Sequence, residues 1–232
     1  MSLGAEIRNL GENSLASLTA SHNYYANAVA VWRFLQSIVS EGREFVVHNS
    51  VTGADTDQKS LVALTEHYIS AYLTTASFQD FVSVFENFVF DLLRLWLIAY
   101  PDSLSEKQLK FGTVLKAPDK EAIAFAVVDR ELNELKYERV AEWFEYLERR
   151  AGLGTPSKDV IDRLAEIKAS RDILVHNKGI VNATYLSKAG SFARQEIGDR
   201  LEIPASYHQA SWELINGLIR NVMDCAEKKL QD

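Results

Sequence analysis

The stretch FQDFVSVFENFVFDLLRLWLIAY, residues 78–100, predicts a long helix with a wide apolar face. Its apolar residues recur three or four positions apart, which is the spacing of one side of an α-helix. They include Phe78, Phe81, Val82, Phe85, Val89, Leu92 and Trp96. Pro101 predicts the end of the helix, because the residue before a proline avoids the α conformation. The most apolar part, residues 88–100, contains Asp91 and Arg94 and is too short to span a bilayer, so we expect no membrane insertion.

Further segments carry the same periodicity, and we therefore predict an all-α fold. The helical segments are residues 14–41, 59–100, 119–151, 157–177 and 206–230. We expect a break near residues 74–75 and a junction of two helices near Tyr137. The intervening segments are residues 45–57, expected as a short extended piece and a loop, the polar residues 102–118, and residues 180–205, expected as a small hairpin or ordered loop.

We interpret residues 1–232 as a single helical domain. Its bundle core, of four or more long helices with short extra helices, would lie in residues 58–232. Residues 1–57 would form an N-terminal helical extension and a loop, and residues 1–3 would be an expression leader outside the fold. The helix predicted at residues 157–177 should end just before Gly179, which we expect to be the first residue beyond its C-cap.

The composition is that of a globular protein, with 47% apolar and 25% charged residues. The single cysteine, Cys225, excludes a disulfide within the chain and fits a reducing compartment, so we expect a cytoplasmic protein. The net charge of −7 argues against nonspecific nucleic-acid binding. Residues 158–194 are the exception, because they carry seven Lys or Arg residues against four Asp or Glu residues.

Two places in the chain combine an arginine, four residues and His-Asn. The first copy, GREFVVHNSV at residues 42–51, follows Gly42 and favours extended backbone, in which Arg43 and His48 would lie on opposite faces. We interpret this copy as coincidence. The second copy, SRDILVHNKGIV at residues 170–181, lies in the last turns of a predicted amphipathic helix.

The helical context of the second copy gives it chemical meaning. Asp172 and His176 are four residues apart, so the carboxylate can reach the imidazole ring and orient it. Arg171 can lean toward the same ring, and an arginine fork binds phosphate. The alternative left open by the spacing is a surface Arg–Asp pair beside a histidine that caps the helix end.

The longer segment RDILVHNKGIVNATY, residues 171–185, resembles the signature of the HEPN superfamily (higher eukaryotes and prokaryotes nucleotide-binding domains). That signature is an arginine, a polar residue and a histidine, and Arg171, Asp172 and His176 match it. Asn182 and the isolated acid Glu86, in the apolar run FVSVFENFVF, also resemble bacterial members.

The resemblance implies a helical bundle that forms a homodimer, with two Arg/His pairs in one cleft. Many members are metal-independent endoribonucleases of toxin–antitoxin, abortive-infection or other defence systems, so RNA and an antitoxin protein are the expected partners. His176 would transfer protons, Arg171 would stabilise phosphorane charge, and Asp172 would orient His176. Asn177 and Lys178 would bind substrate, although Asn177 is equally suited to capping the helix.

No metal or cofactor motif occurs in the sequence, and we expect neither group. Glu86 is expected either to pair with the Arg171 region or to lie at a packing edge. Two other functions remain open at this point. One is a non-catalytic nucleic-acid or nucleotide-binding module of the same fold, and the other is a helical protein-interaction scaffold, supported by the acidic remainder of the chain.

Overall fold

A computed structural model describes residues 2–104, 114–115 and 117–231, and it confirms the all-α helical bundle. The long helices are α1 (Leu3–Ser40), α3 (Thr74–Ala99), α4 (Lys120–Lys136), α5 (Val140–Ala151), α6 (Lys158–His176) and α8 (Ala205–Gln231). The shorter elements are β1 (Val46–His48), β2 (Asp55–Asp57), α2 (Gln58–His67), a π-helical segment (Tyr68–Leu73), α7 (Ala183–Ala189), and 3₁₀ turns at Pro101–Ser103 and Gly190–Phe192. The predicted polar segment 102–118 lies largely outside the described residues.

Helix α3 is the centre of the bundle. It packs against α1, α8, α4, α5 and α6, and its buried residues run from Thr74 to Leu97. The predicted junction near Tyr137 is also confirmed, since α4 ends at Lys136 and α5 begins at Val140. No helix among the described residues is long and apolar enough to cross a membrane.

Helix α1 begins earlier than the sequence suggested. Ser2 accepts a hydrogen bond from the backbone N–H of Ala5, and Leu3 packs against the core, so two residues of the presumed leader belong to this helix. Ile7 and Leu18 are fully buried against the rest of the bundle. The first half of α1 is therefore part of the core that we had assigned to residues 58–232.

In the first Arg-x4-His copy, Arg43 precedes strand β1 and His48 is the last residue of that strand. Strands β1 and β2 form a small antiparallel hairpin, in which Val47 pairs with Thr56. Arg43 is paired with Glu41 (3.5 Å), and His48 Nδ1 is hydrogen-bonded to Asp55 (2.7 Å). Both pairs are exposed, and they give the arginine and the histidine separate partners.

The predicted break near residues 74–75 is wrong. The chain stays helical from α2 into α3 through the π-helical segment, in which backbone hydrogen bonds span five residues instead of four. Side-chain hydroxyl groups also donate to backbone carbonyls along this stretch: Ser70 donates to Glu66 O (2.7 Å), Thr74 to Ser70 O (3.2 Å), and Ser77 to Leu73 O (2.6 Å).

The segment 180–205 is an ordered loop from residue 193 to residue 204, but it also contains a short helix, α7, that the expected hairpin or loop did not include. The side chain of Asn182 accepts a hydrogen bond from Tyr185 N (3.0 Å) and caps α7. One isolated antiparallel bridge, between Ile180 and Arg200, is the only strand-like pairing in this part of the described chain.

A buried polar network fastens this segment to α6. Glu166 is 3% exposed, and its Oε1 accepts hydrogen bonds from Ser170 (2.6 Å), Tyr185 (2.9 Å) and Arg194 Nε (3.0 Å). Its Oε2 accepts another from Tyr207 on α8. The Arg194 guanidinium stacks 3.6 Å from the centre of the Tyr207 ring. Burial raises the pKa of both tyrosines.

A second buried polar residue, His208, joins α8 to α1 and α3. Its Nε2 is hydrogen-bonded to Ser77 (2.7 Å), and its ring lies against Tyr25 and Phe81. Burial, assisted by nearby His22, lowers the pKa of His208 to about 4.

Replacing Arg194 with Met should lower the free energy of unfolding by roughly 3 kcal/mol, because it leaves the Glu166 carboxylate buried without its cation. Arg163→Met is the matched control. Arg163 is an exposed residue of α6 paired with Asp159, and its loss should cost less than about 0.5 kcal/mol. Urea denaturation of the three proteins tests this, and equal small losses would contradict it.

The stability of the protein should fall as the pH is lowered from about 6.5 to about 4. In this window the unfolded state binds a proton at residue 208 and the folded state does not, so acid favours unfolding. The full shift corresponds to about 3 kcal/mol. His208→Asn should flatten the dependence of unfolding free energy on pH across this window. The exposed His67→Asn should leave it as it is, and an unchanged slope in His208→Asn would refute the assignment.

Candidate active site

Helix α6 presents one row of polar residues, Lys168, Asp172 and His176, at intervals of four. Arg171 lies beside this row, and Glu86 on α3 faces it. Together with residues of α4, α5 and α7 they line a cleft of about 440 Å³. The structure therefore brings the predicted residues Glu86, Arg171, Asp172 and His176 into one site.

The guanidinium of Arg171 is held between two carboxylates. One terminal nitrogen is paired with Glu86 and the other with Asp172 (3.2 Å). Its Nε is buried and has no hydrogen-bond partner in the described structure. Glu86 therefore pairs with the Arg171 region and does not lie unpaired at a packing edge.

Asp172 does not orient His176 in this structure. Its carboxylate contacts Lys168 Nζ (3.0 Å) and Lys188 Nζ (3.6 Å) in addition to Arg171. The i, i+4 spacing on which the prediction rested applies in both directions along a helix, and Asp172 pairs with Lys168, four residues before it. Asp172 therefore holds cations in position.

His176 is exposed at the end of α6, and the described structure gives its ring no hydrogen-bond partner. It lines both the 440 Å³ cleft and a neighbouring cavity of about 250 Å³. The imidazole is therefore accessible from solvent on the rim of the cleft.

Asn177 and Lys178 lie outside the cleft. Asn177 is the C-cap of α6, and its amide donates to the carbonyl of Ile180, so it has the capping role. Lys178, rather than Gly179, is the first residue beyond the cap. It has a left-handed φ of 54°, and its side chain lines a different groove.

Three lysines of the cleft, Lys136, Lys168 and Lys188, were not predicted as site residues. The cleft is lined by four cations and two carboxylates: Lys136, Lys168, Arg171 and Lys188, with Glu86 and Asp172. The sequence alone could have indicated Lys168 as a site residue, because it precedes Asp172 by four residues and His176 by eight on the same helix. Lys136 and Lys188 arrive from α4 and α7, and only the tertiary structure places them here.

The geometry suits a phosphate-bearing ligand. A surplus of cations favours an anion, and the exposed His176 imidazole lies on the rim of the same cleft. Among the described residues, no group of three or more His, Cys, Asp or Glu side chains is arranged to hold a metal ion.

No protein-family model, curated protein or solved structure matches the chain.

Glu86→Gln should strengthen phosphate binding in the cleft by roughly tenfold, because it removes a negative charge that competes for Arg171. The measurement is a titration with inorganic phosphate, followed by NMR at arginine Nε resonances. Asp91→Asn is the matched control, since it removes the same charge from the same helix but pairs with Arg94 elsewhere. The amide oxygen of the glutamine can still accept a hydrogen bond from Arg171, so the guanidinium stays positioned while the charge is removed. Unchanged or weaker binding in Glu86→Gln would contradict the prediction.

Proposed function

We propose that this chain is a HEPN-like endoribonuclease of toxin–antitoxin or defence type, which cleaves RNA through its own 2′-hydroxyl. The observation that carries the proposal is the convergence of Arg171, His176 and two lysines in one cationic cleft. The cleft supplies what RNA cleavage requires of a protein, namely a phosphate clamp and a group that transfers protons.

In the proposed reaction the 2′-oxygen attacks the adjacent phosphorus, and the bond from phosphorus to the 5′-oxygen breaks. The products are a 2′,3′-cyclic phosphate and a free 5′-hydroxyl. One imidazole accepts the proton of the 2′-hydroxyl, and one imidazolium donates a proton to the departing 5′-oxygen. Arg171 stabilises the charge that develops on the non-bridging oxygens, and Lys188 assists it.

The roles of the carboxylates follow from their contacts. Glu86 and Asp172 form ion pairs with two different nitrogens of the Arg171 guanidinium, and Asp172 also forms one with Lys188 in the cleft. We assign both acids to positioning cations. A rigid, pre-oriented arginine loses less entropy when it binds a phosphate than a free one would.

The proposal includes a homodimer, because general acid and base act on opposite sides of the phosphate and His176 is the one histidine among the described residues that line the cleft of one chain. A second copy would supply the other imidazole. Val175, which is 50% exposed beside His176, fits an interface at this end of α6. Light scattering should give the mass of a dimer, and a monomer that cleaves RNA would remove this part of the proposal.

The second candidate is a non-catalytic RNA-binding module of the same fold. It is favoured by one observation, that the His176 ring has no hydrogen bond in the described structure to set its tautomer. For either candidate we propose a cytoplasmic location, and for the toxin-type nuclease we also propose a neutralising protein partner.

His176→Ala should lower the rate of RNA cleavage by at least roughly 100-fold while changing RNA affinity little, since its role is proton transfer. The assay uses purified protein in EDTA with identification of the product ends. His48→Ala is the matched control, because His48 occupies the same position in the other Arg-x4-His copy and should be dispensable.

Cleavage that is equal in all three proteins would refute the assignment of His176. If the wild-type protein does not cleave but binds RNA in a way that weakens with Arg171→Ala and with salt, the chain is the binding module. If it neither binds nor cleaves RNA, both candidates are wrong and the helical scaffold is left.

A further inference from the structure

A groove on another side of α6 combines features that the reaction leaves unused. It has a volume of about 740 Å³ and lies between the π-helical segment, the start of α3 and the turn that follows α6. We call it the Tyr72 groove. The polar and charged side chains that line it include His67, Tyr72, Gln79, Lys178, Arg200 and Glu202.

Two cations meet at one end of the Tyr72 groove. The side chains of Lys178 and Arg200 are exposed, and Arg200 Nη1 lies 3.5 Å from the backbone carbonyl of Lys178. Glu202 is the one acid among the residues that line the groove. The lining therefore has a net positive charge in a protein whose total charge is −7.

An exposed aromatic ring also lines the groove. Tyr72 is 63% exposed, and His67 supports it edge-on with ring centres 5.1 Å apart. Tyr72 belongs to the π-helical segment, a distortion that is frequent at functional sites and that three hydroxyl–carbonyl hydrogen bonds stabilise here. A braced, solvent-facing ring is what a nucleic-acid base stacks on.

The backbone of Lys178 is strained. Its φ of 54° is in the left-handed region, where a side chain is unfavourable and glycine is common at helix ends. Strained residues of this kind concentrate at functional sites. A lysine in this position is explained if its ammonium group is used by a ligand.

The Tyr72 groove adjoins the cleft along two elements. Gln79 in the groove and Glu86 in the cleft are seven residues apart on α3, hence on the same face and separated by roughly 10 Å. Lys178 follows His176 by two residues. A flexible strand that places one phosphate at Arg171 can therefore continue into the groove.

We propose that the Tyr72 groove binds a nucleotide of single-stranded RNA next to the one that is cleaved. Its base stacks on Tyr72, its phosphate contacts Lys178 and Arg200, and Gln79 offers an amide to the base edge or the ribose. This inference rests on the proposed function, because it assumes that RNA occupies the neighbouring cleft.

The test measures binding of a fluorescein-labelled single-stranded RNA of twelve nucleotides by anisotropy, with cleavage assayed in parallel. Tyr72→Ala should weaken binding roughly 5- to 100-fold, whereas Tyr72→Phe, which keeps the ring, should bind nearly as well as the wild type. Arg200→Ala should weaken binding and reduce its dependence on salt. Tyr24→Ala and Arg220→Ala are matched controls at exposed positions on α1 and α8, and they should bind normally.

Lys178→Gly adds a readout that misfolding cannot imitate. It should raise Tm by roughly 2–4 °C, because glycine relieves the strained backbone, and should weaken RNA binding at the same time. A variant that is more stable and binds less well locates the function in the lysine side chain.

The outcomes separate this inference from the proposed function. If RNA is cleaved and bound but the groove variants resemble their controls, the Tyr72 groove is overturned and the nuclease stands. If RNA is not cleaved but the groove variants bind it more weakly, the groove stands on a binding module. If the wild type does not bind RNA, both are overturned.

Discussion

The buried carboxylate of Glu166 is the interaction on which the C-terminal half of this protein depends. A charged group in the interior costs several kcal/mol unless it is paired and fully hydrogen-bonded. Glu166 meets this requirement only when Tyr185, Arg194 and Tyr207 all reach it. Those donors come from α7, from the chain beyond it and from α8. One acid therefore fixes how three separate segments pack on α6, and it places the cleft lysine Lys188, which follows Tyr185 on α7.

The same helix can then serve structure and function at once. Glu166 and Lys168 are two residues apart, which puts them about 200° apart around the helix. The Glu166 side is buried in its network, while Lys168, Asp172 and His176 face the cleft. A site built on a helix whose opposite side is fastened into the bundle keeps its side chains in place, as the phosphate binding that we propose for this cleft requires. The turn after His176 carries the strain, because Lys178 adopts a conformation suited to glycine.

The helices were predictable where local periodicity and local signals agreed. Residues 78–100 and 206–230 each bury one continuous face, and Tyr137 marks the junction where it was predicted. The errors arose where hydrogen bonds replaced expected breaks. Hydroxyl groups near Thr74 sustain a π-helical turn, and Asn182 caps a helix in a segment whose glycines suggested a hairpin. In the site, the spacing of Asp172 and His176 indicated a contact, but Lys168 and Arg171 take the carboxylate instead.

The sequence by itself determined the all-α class, the positions of the long helices and the local order of Arg171, Asp172 and His176 on the last turns of α6. These properties depend on residues within a few turns of one another, so periodicity and spacing are enough to reveal them. The tertiary structure alone decided that Glu86 pairs with Arg171 and that Lys136 and Lys188 line the cleft. It also decided that Lys178 lines a separate groove with Tyr72. Those contacts join residues far apart in the chain, and the packing of whole helices fixes them rather than any local pattern.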